Sequence, residues 1–189
     1  MTMRITFELT SEDLDHFREV MQRARTAAHE TDADKIIEAA NKLLSEVEDA
    51  RAPEFVVERL NKLRVLIDMV QDQGWALPDE DQERVLSALA YFSDPEDLIP
   101  DEIPGLGFLD DAIMVELVVR ELKPEIEAYA DFCKYRTVEA NRRNLTGDEL
   151  DRAEWLVERR KQLQSRMRNR RNRRRRPSSR SGRSPFSLF

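Results

Sequence analysis

"YFSDPEDLIPDEIPGLGFLDDAIMVELVVREL", residues Tyr91 to Leu122, decides the architecture of this chain. Between Tyr91 and Asp111 lie three of the eight prolines, two of the five glycines and the aspartates Asp94, Asp97, Asp101, Asp110 and Asp111. Pro95 cannot continue a helix arriving from the N-terminal side, and the residues before Pro100 and Pro104 are pushed out of the α region, so Ile99 and Ile103 are expected extended. Gly105 and Gly107 permit turns that other residues resist. Asp110 then falls where a helix N-cap belongs, with Asp111 in the first turn near the positive end of the dipole, and Leu109 and Met114 stand at staple spacing across that cap. The helix that follows is apolar nearly all round apart from Glu116, which places it at the centre of a bundle. Pro124 either kinks it or begins another helix, "PEIEAYADFCKYRTVEANRR".

Upstream, the apolar spacing predicts four amphipathic helices. Leu14, Phe17, Met21, Ala24 and Ala28 form one stripe after a Thr10 or Ser11 cap, and Ile36, Ala40, Leu43 and Val47 form a second after Thr31 or Asp32. A third helix has Pro53 at its first position and stops at Gly74; a fourth presents Val85, Leu89 and Phe92. Isolated helices of this length are barely stable in water, so the stripes must bury one another. Before them, "MRITFEL" alternates and reads as a short strand with Ile5, Phe7 and Leu9 on one side. The expected fold is all-α: a helical bundle with a short N-terminal β-strand and a disordered, arginine-rich C-terminal tail.

The net charge of −7 conceals a partition. From Arg159 onward there are 13 Lys and Arg and no acid, which leaves 18 basic and 38 acidic side chains in residues 1–158. Such an asymmetry points to a polyanionic partner or to a tail that folds back on its own body. In "TGDELDRAEWLVERRKQLQSRMRNRRNRRRR", Leu150, Ala153, Leu156 or Val157, Leu163 and Met167 share one face, so this face is expected to dock while the last turns project. Arg168, Arg170, Arg171, Arg173, Arg174, Arg175 and Arg176 supply the charge density and guanidinium forks that suit phosphates in nucleic acid or a ribonucleoprotein. No aromatic residues interleave with them, so base stacking and sequence readout are not expected.

The stretch "ALAYFSDPEDLIPDEIPGLGFLDDAIMVELVV" resembles the core of the YkvA-like domain, a small bacterial family. The resemblance rests on Tyr91, on Pro95, Asp97, Leu98, Ile99, Pro100 and Asp101, and on Gly107, Asp110 and Asp111 before an apolar helix. It implies an α-hairpin unit of unknown biochemical role, and in many members a membrane-compatible helix after the paired aspartates; here Glu116, Arg120 and Glu121 put charge on that helix. The expected organisation is an N-terminal strand and helical region over 1–78, a YkvA-like helical core over 79–145, and a basic helix with a disordered tail over 146–189.

No run approaches the roughly 18 apolar residues of a membrane span, and the acidic start "MTMRITFELTSEDL" lacks the apolar core of a secretory signal, so the expected location is the cytoplasm. The single cysteine, Cys133, sits at helical spacing from Tyr129 and Ile126 and reads as a small core residue. His16 and His29 read as surface residues of the first helix. Asp97, Asp101, Asp110 and Asp111 have the hard oxygen chemistry that Mg²⁺ or Ca²⁺ takes, but aspartates beside prolines and helix ends are ordinary caps and turn residues. There is no EF-hand spacing and no glycine-rich phosphate loop. The terminal "SPFSLF" resembles the bacterial sliding-clamp-binding peptide, Gln-Leu-Ser/Asp-Leu-Phe, with Phe186, Leu188 and Phe189 as its apolar anchors and departures at Pro185 and Phe186.

The function expected from these features is that of a non-enzymatic binding or regulatory protein whose arginines hold nucleic acid or another polyanion, with no cofactor. Two alternatives stand beside it: a divalent-metal-dependent enzyme using the aspartate loop, and a membrane-surface adaptor held by the basic tail.

Overall fold

The first helix, α1 (Ser11–Ala28), starts where its sequence says it should. The Asp13 N–H donates to Thr10 Oγ1 (3.3 Å) and the Thr10 N–H donates to Asp13 Oδ2 (2.8 Å), a reciprocal cap built with an aspartate. The computed structural model describes residues 10–28, 32–50, 52–93, 108–146, 150 and 153–175. Helix α2 (Ala33–Asp49) is capped by Asp32, whose carboxylate accepts from the Asp34 N–H (3.3 Å). Helices α3 (Glu54–Gln71), α4 (Asp79–Leu89), α5 (Leu109–Glu121), α6 (Lys123–Arg143) and α7 (Glu154–Arg175) follow, with a 3₁₀ turn over Ala90–Ser93.

The described residues are all helical or connecting turns. The strand expected at the N-terminus lies outside them, as do Arg176 and the rest of the chain to Phe189.

One core joins every helix. It takes Met21 and Ala24 from α1, Ile36, Ala40 and Leu44 from α2, and Val85, Ala88 and Leu89 from α4. Helix α5 contributes Met114, Val115 and Val118, but it shares the centre with α3, which buries Val56, Leu60, Leu63, Leu66, Ile67 and Met69. Helix α5 leaves Ile113 and Leu117 partly open instead. Helix α7 adds Leu156, Leu163 and Met167 and packs along α6.

Three boundaries differ from expectation, each for a local reason. Helix α3 ends at Gln71, three residues before Gly74, because Asp72 takes an extended ψ of 101° and its carboxylate accepts from the Trp75 N–H (3.1 Å). Pro53 is the N-cap of α3 and not its first residue. Phe108, not Asp110, is the cap of α5: it adopts the left-handed region (φ 62°), so Asp110 and Asp111 fall inside the first turn. Pro124 begins a new helix, α6, as its second residue, and Leu122 forms the fully buried corner between α5 and α6.

The basic end is also rearranged. The last turns project only in part: α7 remains helical through Arg175 and Arg171 is buried, while Arg170, Arg173 and Arg174 are exposed. The reason is that its guanidinium reaches Asp81 and Glu125, two fully buried carboxylates.

Candidate functional site

The arginine-bearing helix is held by an ionic anchor built from the N-termini of two other helices. Asp81 is the third residue of α4 and Glu125 the third of α6; both are 0 % exposed. Each sits where the positive end of a helix dipole favours an anion. Arg171 Nη1 donates to Asp81 Oδ1 (2.6 Å) and to Glu125 Oε1 (3.2 Å), while Arg168 Nε donates to Asp81 Oδ2 (2.9 Å). Arg84 Nε lies 3.3 Å from Glu125 Oε1, and Glu121 is shared between Arg84 (3.0 Å) and Arg25 (2.7 Å). Burial alone would lower the pKa of Arg171, but its bonds to Asp81 and Glu125 outweigh that and raise it, so the guanidinium stays charged.

A second set of contacts lets α7 grip the turn between α3 and α4. Arg160 Nη1 donates to the Gly74 carbonyl (3.0 Å), and Gln164 Nε2 donates to the carbonyls of Trp75 (2.9 Å) and Ala76 (3.3 Å). Under that grip, Trp75 is fully buried against Phe132 and Tyr129, with ring centroids 5.0 and 5.8 Å away. Asp72 ties the same turn to α6: Arg136 donates to both its oxygens (2.8 and 2.7 Å) and the Tyr129 hydroxyl to Oδ2 (3.0 Å). Burial would raise the Asp72 carboxyl, but the Arg136 fork and the Trp75 N–H overcome it and hold the group below the usual carboxylate range. Burial pushes the Tyr129 phenol well up, and its contacts with Cys133 and Asp72 act in the same direction. Burial likewise raises the half-buried Cys133 thiol, which packs as a small core residue on α6.

The arginines expected to meet phosphate therefore divide into two groups. Arg168 and Arg171 face the body. Arg170 pairs with Glu127 at 2.7 Å in a half-exposed contact, and Arg174 Nη1 donates to the Arg120 carbonyl (3.3 Å) at the C-terminal end of α5. Arg173 is exposed; Arg175 closes the helix, and Arg176 lies outside the described residues. Sequence reasoning had grouped all seven by composition, although Arg171 stands four residues after Met167 and so continues the apolar stripe. Asp81, Glu125 and Arg84, the body's half of the anchor, were missed because nothing in the surface-like "PDEDQER" (78–84) or "KPEIEAY" (123–129) signals burial.

One further cluster was invisible in the linear sequence. The Arg143 guanidinium lies 4.7 Å from the centre of the Trp155 ring, Trp155 meets Tyr135 edge to face at 5.8 Å, and Arg159 lies 5.3 Å over Tyr135. Aromatics thus do stand among the arginines, brought there by the packing of α6 on α7.

Of the aspartate set, Asp97 and Asp101 lie outside the described residues, whereas Asp110 and Asp111 are buried in the first turn of α5. No group of three or more His, Cys, Asp and Glu is placed to hold a metal ion among the described residues. Phe186, Leu188, Phe189 and His29 also lie outside them, and His16 is exposed on α1. Beside α5, a cleft of about 400 Å³ is lined by Leu14, Phe55, Leu109 and Ile113, with Arg59 and Arg120 at its polar edge.

The comparisons fall on the stretch around the loop. Residues 84–117 match the family model described as "Protein of unknown function (DUF1232)". Over 43 residues the chain is 44% identical to the "Uncharacterized membrane protein YkvA" of Bacillus subtilis (strain 168), a match that covers 23% of this chain and 41% of that relative. Among the described residues, no helix is long and apolar enough to cross a membrane. No solved structure matches the chain. The similarity is confined to one segment, which holds the end of α4, residues 94–107 and most of α5, and over that segment the chain is similar to the YkvA-like family.

Proposed function

We propose that this protein is a non-enzymatic binding protein that holds nucleic acid, alone or in a ribonucleoprotein, on the outward face of α7 and the arginines that follow it. The observation that carries this reading is the division of labour along α7: Arg168 and Arg171 are spent on Asp81 and Glu125, while Arg166, Arg170 and Arg173 form a stripe on the opposite side. A helix locked at one face presents cations at fixed spacing on the other, so less conformational entropy is lost when a phosphate backbone is bound. The partners of the stripe are weak competitors. Arg166 lies 3.9 Å from Asp131 and Arg170 2.7 Å from Glu127, with all four side chains about half exposed. Such surface pairs contribute about 0–1 kcal/mol and are screened by salt.

The test is fluorescence anisotropy with a labelled single-stranded oligonucleotide, using the intact chain and an Arg166→Gln, Arg170→Gln, Arg173→Gln variant. The intact chain should bind with little sequence preference and lose affinity steeply as salt rises, and the variant should bind on the order of tenfold more weakly at low salt. Equal affinity of the two proteins would remove the stripe from the reading.

A second reading is favoured by one observation: the similar protein of Bacillus subtilis is described as a membrane protein. On that reading the same cations rest on anionic lipid headgroups, each contributing about 1 kcal/mol near the surface. Co-sedimentation with vesicles rich in anionic lipid, with an oligonucleotide as competitor, separates the two.

A further inference from the structure

We propose that Trp155 and Tyr135 form a stacking site for the unpaired bases of single-stranded nucleic acid, placed at the head of the arginine stripe of α7. The inference rests on the nucleic-acid reading above and names its ligand more closely. Trp155 and Tyr135 are partly buried, so each ring keeps accessible area. Both rings pack against the core on one side, and a guanidinium lies over each, Arg143 over Trp155 at 4.7 Å and Arg159 over Tyr135 at 5.3 Å. Arg143 itself is 45 % exposed.

Magnitudes decide which contact a base would replace. An exposed cation–π pair contributes about 0.5–1 kcal/mol. Stacking of a base on an aromatic side chain contributes about 1–3 kcal/mol. A base that displaces Arg143 from the Trp155 ring therefore gains, and the released guanidinium is left within reach of the adjoining phosphate. Part of that gain is offset by Glu139, which is 13 % exposed, accepts from Arg143 Nε at 2.9 Å and resists the movement, with Arg142 a further 3.7 Å neighbour of the same carboxylate.

Direction follows from helical geometry. Arg159, Arg166 and Arg173 recur every seven residues, on one side of α7, and at 1.5 Å per residue the stripe runs about 21 Å from the aromatic pair toward the chain's last arginines. A basic track with aromatic rings at one end is the arrangement by which single strands are bound without sequence readout.

The two tryptophans make the test direct. Trp75 is fully buried against Tyr129 and Phe132, whereas Trp155 is at the proposed site. The intact chain is titrated with an oligo-dT of about 12 nucleotides, within the usual range of single-strand sites, following tryptophan emission and, in parallel, anisotropy of the labelled oligonucleotide. Saturable quenching that tracks anisotropy is expected, and it should vanish in Trp155→Phe, which removes the reporting indole and leaves only the buried Trp75. Trp155→Leu should bind the oligonucleotide on the order of tenfold more weakly while keeping its affinity for heparin, a polyanion without bases. Binding without quenching, or unchanged oligonucleotide affinity in Trp155→Leu, overturns the stacking site and leaves the arginine stripe standing. Parallel loss of heparin and oligonucleotide affinity also overturns it, since stacking discriminates between those ligands. Absence of any oligonucleotide binding by the intact chain overturns this proposal together with the reading on which it rests.

Discussion

Arg171 shows how one side chain can change meaning between sequence and structure. Within "RNRRNRRRR" it is one of many cations, yet it is buried between Asp81 and Glu125, at 2.6 and 3.2 Å, and each carboxylate sits at the start of a helix. Removing one member of a buried ionic set leaves the others uncompensated, which costs about 3–5 kcal/mol. Arg171→Met, which keeps the length of the side chain, is therefore expected to lower stability by about 3 kcal/mol in urea unfolding, whereas Arg173→Met on the exposed side should change it by less than about 0.5 kcal/mol. Equal effects from the two substitutions would show that the anchor does not hold α7. The position of Arg171 was legible in principle, since Leu156, Leu163 and Met167 define a face and Arg171 lies on its continuation. What hid it was the uniform composition of the run, because the carboxylates that give it a purpose are 90 and 46 residues away in sequence.

Among the elements, the long helices were legible and their ends were not. The apolar stripes of α1, α2 and α4 bury most of the residues their spacing picks out, including Met21, Ile36, Leu43 and Val85, with Leu14 and Phe17 of α1 only partly covered. Helix ends depend on single φ/ψ choices that tertiary contacts can override. Phe108 takes φ 62° although a bulky residue pays a steric penalty there, because its ring is buried, and no sequence signal announces that. Ala76 is a comparable case with a testable consequence. It holds φ 40° in the turn between α3 and α4, where the Gln164 amide donates to its carbonyl, and its own side chain is exposed. Glycine adopts this backbone without the Cβ clash that costs an L-residue roughly 1–2 kcal/mol. Ala76→Gly also enlarges the freedom of the unfolded chain, which offsets part of the gain. The expected net is a stabilisation of up to about 1 kcal/mol, or a melting temperature higher by about 2–4 °C for a chain of this size. A lower melting temperature by calorimetry would mean that the turn is not strained at Ala76.

On the scale of the whole molecule, the charge partition was visible in the sequence, but its division into inward and outward cations was not. Of the 13 Lys and Arg from Arg159 onward, Arg168 and Arg171 bind buried carboxylate and Arg160 donates to the Gly74 carbonyl, so these three are unavailable to a polyanion without undocking α7. Undocking would uncover Leu156, Leu163 and Met167, and truncating a single buried leucine to alanine already costs about 2–5 kcal/mol. A cut before α7 therefore removes part of the core along with the charge and cannot isolate the role of the arginines. Ending the chain at Arg175 is the cleaner change, because it removes Arg176, Arg180 and Arg183 and leaves the described helix complete. Each phosphate neutralised on a single strand contributes about −0.7 to the slope of log affinity against log salt. If those three arginines all meet phosphate, the shortened chain should show a slope shallower by about 2, with affinity correspondingly lower near 0.1 M salt. An unchanged slope would assign binding entirely to Arg166, Arg170, Arg173 and their neighbours on the rigid helix. A slope that collapses to zero would instead give the whole of it to the residues beyond Arg175, and the outward stripe of α7 would then be a solvated face whose charges balance Glu127 and Asp131.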